Sequence, residues 1–206
     1  MRLMILVTAL TAGSLAASPV LTFNTATASS GSENNQSVGW EFNVLTPITV
    51  NGLGWYDQNG DGLQLAHTVG IWNSSGTLLS SAVVAQGTAD PLDGLFRTIL
   101  ITPVILMPGT NYIVGGQNFS TNSEQLAFGV SPTTISSIAF VRGEFSNANG
   151  IFEEPTNPTG VSNCCWGPSF SVSNVPEPSV VTLCGFGLIT MGLAVYLRRT
   201  LMSPHR

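Results

Sequence analysis

Residues 56–67 read YDQNGDGLQLAH, and the fold turns on what the first half of that stretch is. Asp57, Asn59 and Asp61 stand at alternate positions with Gly62 behind them, which is how a helix-flanked calcium loop opens. Such a loop closes its metal with a bidentate Glu at the twelfth position, and here that position is Thr68. The flanks argue further. ITVNGLGWY before it and HTVGIWN after it are β-branched and aromatic, with no helical apolar period. The Asn-Gly and Asp-Gly steps accept positive φ, as a turn between strands requires. The stretch is therefore expected to be a hairpin loop joining two strands. Asp57, Asn59 and Asp61 remain candidate calcium ligands if another loop completes the sphere.

Working outward, short apolar segments recur at 38–45, 48–56, 67–73, 77–85, 95–101, 111–119, 126–130, 138–145 and 169–173. Turn residues separate them, among them the proline and glycine steps at 46–47, 90–94 and 108–109. Strands of this length and spacing predict an all-β domain over 38–174, a Greek-key or jelly-roll-like β-sandwich. LMPGTNY at 106–112 sharpens the topology: a tyrosine opening a strand after a tight turn can bond back to the backbone and lock a crossing between sheets. An ordinary hairpin with a half-buried tyrosine fits the same residues. The polar run at 29–37 is expected to be a flexible lead-in, and the Gly-, Asn- and Pro-rich run at 143–168 a long surface loop.

The two ends are of another kind. Met1 and Arg2 precede an apolar run, and small residues follow up to Ala26-Thr27-Ala28, so residues 1–28 are expected to be a secretory signal peptide cut after Ala28. Residues 180–197, VVTLCGFGLITMGLAVYL, carry no charge and as a helix would reach roughly 27 Å. That is close to the apolar thickness of a bilayer, so a transmembrane helix is expected there. Arg198 and Arg199 follow, opening a basic tail at 198–206; positive residues stay on the cytoplasmic side, so the preceding domain faces outward.

Between the ends, residues 29–174 hold two basic residues, Arg97 and Arg142, against ten acidic ones, a net charge of about −8. A nucleic-acid partner needs a basic face and is excluded on that ground. The chain contains no lysine, which rules out the phosphate-loop motif and Schiff-base chemistry. Cys164 and Cys165 are neighbours, and adjacent Cα atoms lie closer than the usual disulfide range, so free thiols or a bond to another chain are expected. The third cysteine, Cys184, falls in the apolar run.

Catalytic sets are scarce. His67 is the only histidine between the two ends, and no GxSxG elbow is present. His67 fits a strand end hydrogen-bonded near the Asp57 loop better than a metal ligand. Asp90 with Asp93, and Glu153 with Glu154, form carboxylate pairs of the sort glycosidases use, but both lie in turn-like polar sequence where solvated carboxylates are the default. No enzymatic activity is expected, and no cofactor beyond the calcium candidate. Trp40, Trp55, Trp72 and Trp166 are open to two roles, core packing or stacking on sugar rings.

VPEPS at 175–179, the apolar span and the arginines after it resemble, in that order, the PEP-CTERM sorting signal of Gram-negative bacteria. The resemblance implies recognition by an exosortase-type membrane protease, with Pro176, Glu177 and Pro178 as the recognised element and Arg198 and Arg199 orienting the span. The tail beyond the arginines, TLMSPHR, is longer than the usual ending. The exported part is similar to a domain of unknown function common in PEP-CTERM proteins, through GWEF at 39–42, GLGWYDQNGDGLQLAHTVGIWNSSGTLL at 52–79, LMPGTNYIVGG at 106–116, VRGEF at 141–145 and CWGPSF at 165–170. That family implies an extracellular sandwich without assigned catalysis. The expected function is that of an exported structural or adhesive protein, first membrane-anchored and then at the cell surface or in the extracellular matrix. The alternative is a carbohydrate-binding module for extracellular polysaccharide.

Overall fold

The computed structural model describes residues 17–31, 35–119, 126–148, 150–160 and 164–173. Its first sheet has the order β1 (Ala17–Pro19), β15 (Pro168–Ser173), β5 (Ile48–Tyr56), β9 (Phe96–Leu106), β8 (Leu92–Asp93). The second runs β14 (Asn157–Pro158), β13 (Ile138–Phe145), β4 (Ser37–Val44), β10 (Gly109–Gln117), β6 (His67–Trp72), β7 (Leu78–Val84). Two small ribbons pair β11 (Leu126–Phe128) with β3 (Ser29–Gly31) and β12 (Thr133–Thr134) with β2 (Leu21–Thr22). The fold is all-β and sandwich-like, as the alternating sequence predicts.

Alternation explains the layers. Along β4, Val38, Trp40, Phe42 and Val44 are buried, and two of them meet Phe170 of β15 from the other sheet: its ring lies 5.8 Å from Trp40 at 17° and 5.0 Å from Phe42. Two indole N–H groups of this core find backbone acceptors, Trp40 on Pro168 at 2.9 Å and Trp166 on Val130 at 3.1 Å, whereas the buried Nε1 of Trp55 has no hydrogen-bond partner among the described residues. Burying an indole costs little once that donor is satisfied.

The sheet order overturns one expectation about connections and decides between two readings of another. Residues 56–67 are not a hairpin: β5 bonds to β15 and β9, whereas β6 bonds to β10 and β7, so the stretch crosses from one sheet to the other. The passage from β9 to β10 crosses too, and there the tyrosine corner is present. Tyr112 Oη donates to Met107 O at 3.1 Å, and Asn111 beside it has φ +61°.

The region 143–168 is not a free loop. Residues 150–158 lie as a strap over the outer face of the second sheet. Phe152 packs on Trp72 at 5.3 Å, Ser37 Oγ donates to Ile151 O at 3.2 Å and accepts from Glu153 N at 3.0 Å, and β14 adds a strand to β13. Gly70 and Gly115, which stand opposite each other in β6 and β10, make room for it. A Cβ on Gly115 would lie 2.7 Å from the Pro155 ring, and one on Gly70 2.9 Å from Phe152.

Residues 17–28, expected in the leader, belong to the sandwich: β1 pairs with β15, and Val20, Leu21 and Phe23 are buried in the core. Within the expected lead-in, Ser29–Gly31 pairs with β11. Residues 1–16 of the expected signal peptide, the PEP motif and the apolar segment 180–197 lie outside the described residues. Among the described residues no helix is long and apolar enough to cross a membrane.

Candidate functional site

Asp57 directly follows β5 and is buried. Its Oδ2 accepts from Arg97 Nε at 2.7 Å and from the Gly62 backbone N–H at 3.0 Å, and both charged side chains are buried. Arg97 reaches the same loop again, donating to Gly60 O at 2.7 Å, and spans to Asp90 O at 3.3 Å. Gly60 and Gly62 have φ of +70° and +111°, the conformations the Asn-Gly-Asp-Gly sequence supplies. Asn59 and Asp61, by contrast, are exposed.

The positive charge facing Asp57 is a guanidinium, whose fixed fork of donors suits a carboxylate and backbone carbonyls together. Asp57 is buried where Asn59 and Asp61 are exposed, and among the described residues no group of three or more His, Cys, Asp or Glu side chains could hold a metal. Beside the loop lies a pocket of about 180 Å³, lined by Thr25, Ala26 and Ala28 together with Tyr56, Gln58, Asn59 and Ala127.

His67 is fully buried at the start of β6. Its ring stacks on Trp55 at 4.0 Å and 7°, and its Nδ1 lies 2.9 Å from Gln117 O. Since a carbonyl only accepts, Nδ1 carries the hydrogen. Burial lowers the pKa to about 4, against a smaller opposing effect of that hydrogen bond, so the ring is neutral at physiological pH. It bonds across to β10 and not to the Asp57 loop.

The carboxylates that meet are not those the sequence singles out. Asp90 Oδ2 accepts from Ala85 N at 2.6 Å, and Asp93 Oδ2 from Ser171 Oγ at 3.0 Å, so each has its own partner. Glu153 and Glu154 ride on the strap. The close pair is Glu41 of β4 and Glu144 of β13, both buried on the outer face of the second sheet. Arg142 bridges them, with Nη2 3.0 Å from Glu41 Oε2 and Nε 2.6 Å from Glu144 Oε1; Asn111 Nδ2 also donates to Glu41. Burial chiefly raises the pKa of Glu144, Arg142 opposes this, and the neighbouring Glu41 adds to the rise. Two signals in the sequence pointed here: Arg142 and Glu144 share a strand face by their spacing of two, and Glu41 sits within an otherwise apolar strand. Neither says that the outer face is covered.

All four tryptophans are interior, Trp40, Trp55 and Trp166 at 0% exposure and Trp72 at 5%, so none offers a ring face to a sugar. Cys164 and Cys165 are also buried and are joined to each other, which replaces the expectation of free thiols or an intermolecular bond. Cys165 has φ +72°, a conformation that lets the adjacent side chains meet. The expected sorting residues Pro176, Glu177, Pro178, Arg198 and Arg199 lie outside the described residues.

No curated protein and no solved structure matches the chain. One family model does, over residues 22–163, and by that match the chain belongs to the family described as a domain of unknown function, DUF4082.

Proposed function

We propose that this is an exported protein of structural or adhesive role, held at the cell envelope or in the extracellular matrix and delivered there by its C-terminal signal. The observation that carries it is the order Pro176-Glu177-Pro178, an uncharged run at 180–197, then Arg198-Arg199, beginning directly after the sandwich unit that ends at Asn174. An exosortase-type membrane protease is the partner this signal implies, cutting near the motif after the apolar span has stopped in the inner membrane. The acidic, lysine-free sandwich fits life outside the cell, where net negative charge favours solubility.

The test is fractionation of the host with and without the sorting protease. Wild-type protein leaves the inner membrane only when the protease is present. Replacing Pro176, Glu177 and Pro178 together by alanine leaves a membrane-bound precursor in both strains, and identical processing of variant and wild type would overturn the proposal.

A further inference from the structure

We infer that the leader is removed after Ala16, so that the exported protein begins at Ala17 and keeps residues 17–28 as part of its folded domain. The inference rests on the export reading above and fixes a site within it. Sequence alone favours the later cut, because Ala26-Thr27-Ala28 is a small-x-small triplet. Ser14-Leu15-Ala16 is another, and it stands close behind the apolar run at 3–10. A leader ending at Ala16 lies within the usual range of about 15–30 residues.

The structure separates the two sites. Ala17, Ser18 and Pro19 pair with Ser173, Val172 and Ser171, so β1 forms the edge of the first sheet beside β15. The Val20 N–H donates to Phe170 O at 3.2 Å, and Val20 O accepts from Ile135 N at 3.1 Å. Val20 and Leu21 are buried at 1% and 2% exposure, and Phe23 sets its ring 5.2 Å from Tyr56 and 6.3 Å from Phe96. Thr25, Ala26 and Ala28 wall the pocket beside the Asp57 loop.

A cut after Ala28 would therefore strip a strand from β15, open three large apolar positions and remove part of the pocket lining. A leader peptide is discarded, and a discarded segment has no reason to carry core residues. The family match points the same way, since it begins at residue 22, upstream of Ala28.

The experiment is to express the full chain in a Gram-negative host, isolate the exported protein, and read its N-terminus by Edman degradation and intact mass. The expected sequence is Ala-Ser-Pro-Val. Ala28→Leu is expected to leave that N-terminus unchanged, while Ala16→Leu, which puts a large residue at the cut, abolishes it. An N-terminus at Ser29, or anywhere beyond Pro19, overturns the site but leaves export standing. Retention of Met1 in the wild type overturns the export reading and this inference with it. The N-terminus can be read whether or not a variant folds.

Discussion

Arg97 stabilises the loop at 57–62 in the way a bound cation would, and it does so from inside. Its charge meets Asp57, and its remaining donors collect Gly60 O and Asp90 O, so two turns and a strand end converge on one side chain. Truncating one member of a buried pair leaves the other charged and unpaired, which costs about 3–5 kcal/mol. Arg97→Met should therefore lower the melting temperature sharply, and the double variant Arg97→Met with Asp57→Leu should recover much of the loss, because no charge is left stranded. Millimolar calcium should leave the melting temperature of the wild type unchanged; a rise would mean that exposed Asn59 and Asp61 recruit a metal after all. Melting curves of the three proteins, each with calcium and with chelator, check both points.

At the scale of elements, the crossings and the strap need different tests. Tyr112→Phe removes one hydrogen bond at the β9–β10 corner and leaves the ring in place, so it should cost about 1 kcal/mol in denaturant unfolding without altering the fold. Gly115→Ala acts on the strap, where the new methyl meets the Pro155 ring and loosens the packing of Phe152 on Trp72. A loss of about 1–3 kcal/mol and a red shift of tryptophan emission are expected; unchanged emission would show that the strap yields without letting water reach Trp72. These elements also mark how far the sequence can be read. Ile48–Tyr56 and Ile138–Phe145 lie where period-two alternation and turn residues put them, because those signals are local. Residues 17–28 were hidden as strands because β1 and β2, of three and two residues, are too short to show a period. Glu41 was hidden for another reason: its partners Asn111 and Arg142 come from β10 and β13, seventy residues and more away in sequence, and no local pattern reports such contacts.

For the whole molecule, these buried groups set how stability responds to acid, and two of them pull in opposite directions. His67 has its folded pKa lowered to about 4 from 6.5, so between those values the unfolded chain binds the extra proton. Its contribution is complete above pH 6.5 and is lost as pH falls towards 4, amounting to about 3 kcal/mol. Glu144 has its pKa raised, chiefly by burial, so the folded state binds the extra proton. Its share of stability is therefore full below the ordinary value of 4.5 and is lost as pH rises through the folded pKa. Acidification from neutral pH then sets a gain at Glu144 against a loss at His67, and the net slope shows which dominates. His67→Gln should flatten the decline between pH 6.5 and 4, while Glu144→Gln should steepen it by removing the opposing gain. Urea unfolding of wild type and both variants at closely spaced pH values measures this directly. If His67→Gln keeps the wild-type slope, the histidine is not what the sandwich loses in acid, and the pairing of His67 with Gln117 O carries no pH dependence.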